Sequence, residues 1–95
     1  MIEYYIREAF SRLFYLTRTD ITFDPIRTDH GYSISWSVNP YAVKNGKFLT
    51  ELIFDELDKA DVIAEIKNWL VDHLGLSASS IYIIPHYQTI IINEV

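Results

Sequence analysis

Few residues of this chain can do chemistry, and their spacing limits them further. Its three histidines are His30 in the turn signal Thr28-Asp29-His30-Gly31, His73 near the end of a helical stretch, and His86 directly after Pro85. No H-x-x-x-H or comparable ligand spacing relates them, so a metal site would require three distant segments to converge, and none is expected. His73 reads as a packed imidazole or a group favoured by a helix C-terminus, and Asp29-His30 as a polar turn. Serine is frequent, yet no G-x-S-x-G occurs. Gly31, Gly46 and Gly75 each stand at a turn or helix end, which leaves no phosphate-cradling loop. Paired carboxylates occur as Asp55-Glu56 and as Asp24 with Asp29, but acid-base catalysis needs one carboxyl set in a cleft with a shifted pKa, and no spacing here provides it. The expectation is a protein that is not an enzyme and uses no cofactor.

The most directional feature is electrostatic. Glu51, Asp55, Glu56, Asp58, Asp61, Glu65 and Asp72 fall within 22 residues, against Lys59 and Lys67. Such a run is ordinarily a solvated helix face. Its sharper reading is a partner-binding surface whose carboxylates engage Lys and Arg of another protein, as acidic inhibitors of nucleic-acid-binding proteins do. Thirteen acids against eight bases give a formal net charge of -5, which disfavours direct contact with nucleic acid, where cations on the protein supply most of the affinity. The expected partner is therefore a protein with a basic surface. Among seven tyrosines, Tyr15, Tyr41 and Tyr87 stand on loops or helix margins, where they suit interface anchors.

The elements that carry these residues follow from periodicity. Ile2, Ile6, Ala9, Phe10, Leu13 and Leu16 recur at helical spacing and predict an amphipathic helix over residues 2–17. ITFDPIR reads as extended up to Asp24-Pro25, with proline arguing for an edge or a bulge. YSISWSVN alternates strictly, placing Tyr32, Ile34, Trp36 and Val38 on one face and three serines on the other. Asn45-Gly46 is a hairpin-type turn leading into KFLTELIF, read as a third strand, with residues 41–44 pairing briefly across the turn. Asp58 as N-cap and Gly75 as stop bound a helix over residues 59–74, with Val62, Ile66, Trp69 and Leu70 beside an acidic stripe.

The last fifteen residues, IYIIPHYQTIIINEV, hold one ionised group, Glu94. Pro85 excludes one continuous central strand, so two short strands, about 80–84 and 88–93, are predicted around a Pro85-His86-Tyr87 turn. Read as one extended run, they place Tyr82, Ile84, Ile90 and Ile92 on a common face, which with Tyr87 forms a candidate assembly interface. An uncovered apolar patch of that size is rare on monomers, and TIIINEV at an exposed edge would be prone to aggregate. Self-association as a homo-oligomer, or a partner, would cover it.

Ninety-five residues, 49% of them hydrophobic, form one domain able to bury roughly 60 to 65% of its unfolded surface. The predicted fold is α+β, a single small domain spanning 1–95 in the order α-β-β-β-α-β-β, with an antiparallel sheet and two helices packed on one face. That order shares an outline with double-stranded RNA-binding domains, but where those place phosphate-holding lysines this chain has Asp58, Lys59 and Asp61. The lack of cysteine suggests a reducing compartment. The N-terminal stretch is interrupted by Glu3, Arg7, Glu8 and Arg12, so neither a secretory signal nor a membrane span is expected there; a cytoplasmic protein is the expectation. Two functional readings follow. One is an acidic inhibitor or adaptor, plausible for a phage or mobile element. The other is a self-assembling structural subunit of a virion or scaffold, associating through its C-terminal strands.

Overall fold

A computed structural model describes residues 2–94. Helix α1 (Ile2–Phe14) leads into strands β1 (Ile21–Arg27) and β2 (Gly31–Val38), a small ladder of β3 (Val43–Lys44) and β4 (Lys47–Phe48), helices α2 (Leu49–Leu57) and α3 (Ala60–Leu74), and strands β5 (Ile81–Ile84) and β6 (Thr89–Asn93). The main sheet is antiparallel throughout, in the order β1-β2-β6-β5. The α+β class and the antiparallel sheet agree with the sequence reading.

One hydrophobic core joins helices and sheet. Ile6, Phe10 and Phe14 of α1, Leu49, Ile53 and Leu57 of α2, and Val62, Ile66 and Leu70 of α3 meet Ile21, Phe23, Ile34, Trp36, Ile81, Ile90 and Ile92 of the strands. Phe10 is the hub. Its ring stands edge-on to Phe23 at 5.2 Å and to Trp36 at 5.3 Å between centroids, a geometry that adds electrostatic preference to area burial. Gly31 aside, the buried residues of the main sheet all fall on one face of the strands, the face the helices cover.

Several boundaries differ from the sequence reading for identifiable reasons. The first helix stops at Phe14 instead of residue 17, because Tyr15 takes a left-handed φ of 53°. KFLTELIF is not a third strand. Only Lys47 and Phe48 are extended, paired with Lys44 and Val43 around Asn45-Gly46, both at positive φ as a tight hairpin turn requires. From Leu49 the chain is helical, and Leu49, Ile53 and Leu57, four residues apart, are the buried set. That stretch satisfies both periods, but a strand would set Glu51 and Asp55 on the same face as Leu49, Ile53 and Leu57, whereas the helix turns both carboxylates out to solvent and keeps the three apolar side chains on the core.

The third helix begins at Ala60, one residue later than predicted, and Gly75 ends it at φ 70°. Asp58 does not cap it. Asp58 closes α2 in right-handed geometry, and Lys59 occupies the N-cap position. With a helix already arriving from Leu49, Asp58 is held in the preceding turn and cannot adopt the extended backbone a cap needs.

β6, the last strand, lies between β2 and β5, so TIIIN is central and not an edge. Pro25 sits on β1, which pairs with β2 alone. Gly31 is required for the close approach of β2 to β6: a Cβ there would fall on the Ile92 carbonyl oxygen.

Candidate protein-interaction surfaces

The seven acidic residues are divided between two helices. Glu51, Asp55 and Glu56 lie on α2, Asp58 at the junction, and Asp61, Glu65 and Asp72 on α3. Spacings of 51, 55, 58 and of 61, 65, 72 set each group along one side of its helix. Six of the seven are exposed and Glu56 is half-buried. Glu56 pairs with Lys59 at 2.9 Å, and that contact raises the Lys59 pKa, chiefly through the hydrogen bond to Glu56. Among the described residues no other member of the group forms an ion pair.

The C-terminal hairpin divides the predicted assembly interface. Ile81 pairs with Ile92 and Ile83 with Ile90, so odd residues of β5 share a face with even residues of β6. Ile90 and Ile92 are therefore core, each 0% exposed, and cannot belong to an outward interface. The error has a physical source. The helical turn Pro85–Tyr87 and the left-handed Gln88, at φ 47°, reset the alternation that a single extended run would have kept. Tyr82 at 49% exposure and Tyr87 at 79% point outward, and Ile84 is half-buried.

The register carries an outward row across the whole sheet. Ile26 stands opposite Ser33, Ser33 opposite Ile91, and Ile91 opposite Tyr82. Ile26 and Ile91 were not singled out by the sequence, although strand alternation from the buried Phe23 and Ile90 finds both. Asp24, Ser35, Thr89 and Ile84 form the adjacent row. Asp24 is the one ionised group in these two rows.

The histidines stay apart. His30 is an exposed turn residue. His73 stacks on Trp69 at 3.7 Å, with Nδ1 2.9 Å from the Trp69 carbonyl oxygen. His86 meets the edge of Phe54 at 5.5 Å. Among the described residues no three His, Asp or Glu side chains gather as metal ligands. A hollow of about 230 Å³ among Ile2, Tyr5, Tyr32, Leu74, Leu76, Ile92 and Glu94 is lined without a histidine. Tyr15 and Tyr41 are exposed, at 84% and 86%.

Among the described residues the buried carboxylate is Asp20, which the sequence alone does not single out. Its side chain accepts from the Thr17 amide at 2.8 Å and from Lys44 Nζ at 2.8 Å, and its carbonyl oxygen accepts from the Asn39 amide at 2.8 Å. The Lys44 hydrogen bond, then the Thr17 amide, hold its carboxyl below the ordinary range. Asp20 thus ties the β3–β4 ladder to the start of β1, a structural duty.

Among the described residues no helix is long and apolar enough to cross a membrane. Comparison with protein-family models, curated proteins and solved structures finds no match.

Proposed function

We propose that the protein is a non-catalytic binding module, an inhibitor or adaptor working inside the cell, whose α2–α3 carboxylates engage a basic surface of a partner protein. One observation carries this reading: six of the seven carboxylates are exposed and form no ion pair among the described residues, so their field is directed outward. A partner surface that holds nucleic acid, rich in Lys and Arg, is the natural complement. The small, acidic, cysteine-free composition fits a phage or mobile-element product.

Affinity capture from the producing organism, repeated over a salt series, tests it. Capture is to fall steeply as salt shortens the Debye length and to vanish for Asp61→Lys combined with Glu65→Lys. Capture that survives both the salt and the charge reversal would overturn the proposal.

A second reading, assembly with itself or with other proteins through the C-terminal strands, is favoured by a different observation. The outer sheet face is bare, and β5 is an edge strand with outward Tyr82 and Ile84. Strand addition at such an edge is a common route of association.

A further inference from the structure

The two edges of the main sheet differ in kind. β1 carries Pro25, which has no N–H to offer a further strand, with charged Asp24 and Arg27 beside it. Proline and charge are the devices by which natural edges resist pairing. β5, with the sequence IYII, carries neither. No residue from 74 to 93 is Asp, Glu, Lys or Arg. Among the described residues no strand but β6 pairs with β5, and the Ile81 N–H is taken up by the Ala78 carbonyl oxygen.

We propose that β5 pairs with the same strand of a second copy of this chain about a two-fold axis, closing a dimer with a continuous eight-stranded antiparallel sheet. Charge selects the occupant. A chain of net charge -5 meets its own copy with least repulsion where neither carries an ionised group, whereas a basic partner is drawn to the α2–α3 side. Symmetry agrees with charge, because an antiparallel edge turned through a half-rotation offers its own complement.

An axis normal to the sheet keeps outward residues opposite outward residues. Tyr82 then faces Tyr82 or Ile84 of the second copy, and its half-exposed ring gains cover. Association stops at two, since both edges of the enlarged sheet are β1 strands blunted by Pro25. This inference rests on the strand-association reading and is independent of the acidic surface.

Sedimentation velocity of the full chain from micromolar to millimolar concentration is to show monomer and dimer with nothing heavier. Particles that grow without limit overturn the closed dimer while keeping strand association, and a monomer throughout overturns both. Tyr82→Lys is to leave the circular dichroism spectrum unchanged and weaken dimerisation about tenfold, from like charges brought opposite or diagonal to each other across the new strand pair and the lost ring contact. Tyr82→Cys mixed with Ile84→Cys is to give a covalent dimer on mild oxidation, and Thr22→Cys on β1 none. Cross-linking through Thr22→Cys, or through none of the three, overturns the proposal, and it does so even if Tyr82→Lys fails to fold.

Discussion

The α2–α3 helices and the β5–β6 hairpin solve the same inward problem and opposite outward ones. Inward, Leu49, Ile53, Leu57, Val62, Ile66 and Leu70 on one side and Ile81, Ile90 and Ile92 on the other complete one core. Outward, residues 49–74 carry seven carboxylates and two lysines, while residues 81–93 carry no Asp, Glu, Lys or Arg. Burial of apolar area is non-directional and is met equally by either period. The outward half is free of that demand, so its composition sets what each region can meet: cations at the helices, uncharged surface at the strands.

The comparison breaks most visibly at the hairpin. Ile90→Lys, which puts an unpaired ammonium into a fully buried site, is expected to cost more than about 4 kcal/mol. Tyr82→Lys, outward on the neighbouring strand, is expected to cost under about 1 kcal/mol. Urea midpoints for the two variants check this, and equal losses would mean that the hairpin's inward and outward sides are wrongly assigned. Gly31→Ala follows at about 3 kcal/mol, because its methyl group must displace the Ile92 carbonyl from the β2–β6 ladder. Loss of amide-exchange protection confined first to β6 and β5 is its signature.

Asp20→Asn sharpens the contrast between a carboxylate that is structural and those that are only exposed. Removing its charge-assisted bonds to Lys44 and Thr17 is expected to cost about 1–2 kcal/mol at pH 7. Because its folded-state pKa is lowered, the stabilisation is fully present above the unfolded pKa of about 3.9 and is lost as pH falls through the lower folded value. Denaturation at pH 7 and at pH 3 is to show the gap between the native protein and Asp20→Asn narrowing with acid.

The smallest effect is the most telling for function. Asp61→Lys with Glu65→Lys replaces two carboxylates by two ammonium groups and moves the net charge from -5 to -1, yet stability is expected to change by no more than about 0.5 kcal/mol, since both sites are exposed. Binding to the partner, by contrast, is to be lost. A large loss of stability would assign these carboxylates a structural duty like that of Asp20.

Much of the fold was legible where one period stood alone. The strand at Gly31–Val38, the stop at Gly75 and the break at Pro85 are each set by neighbours in sequence. Leu49–Leu57 was not, because FLTELIF supports either period and only its packing against α3 and the sheet decides between them. Asp58 was misread for a related reason: its role depends on the helix before it. The acidic residues were visible as a set, but their division between two helices was not. Tyr82 and Ile84 share a face with Ile90 and Ile92 only if parity is carried through Pro85–Gln88, and that turn resets it.

By itself the chain determined its charge, its freedom from ligand spacings, the alternation of its best strand and the sites of its turns, all of which are local or additive properties. The tertiary structure alone decided that β6 lies inside the sheet, that Ile90 and Ile92 are core while Tyr82 is outward, and that Pro25 and β5 stand at opposite edges. Strand order and register arise from pairings between residues far apart in the chain, and no period within one segment encodes which neighbour lies beside it.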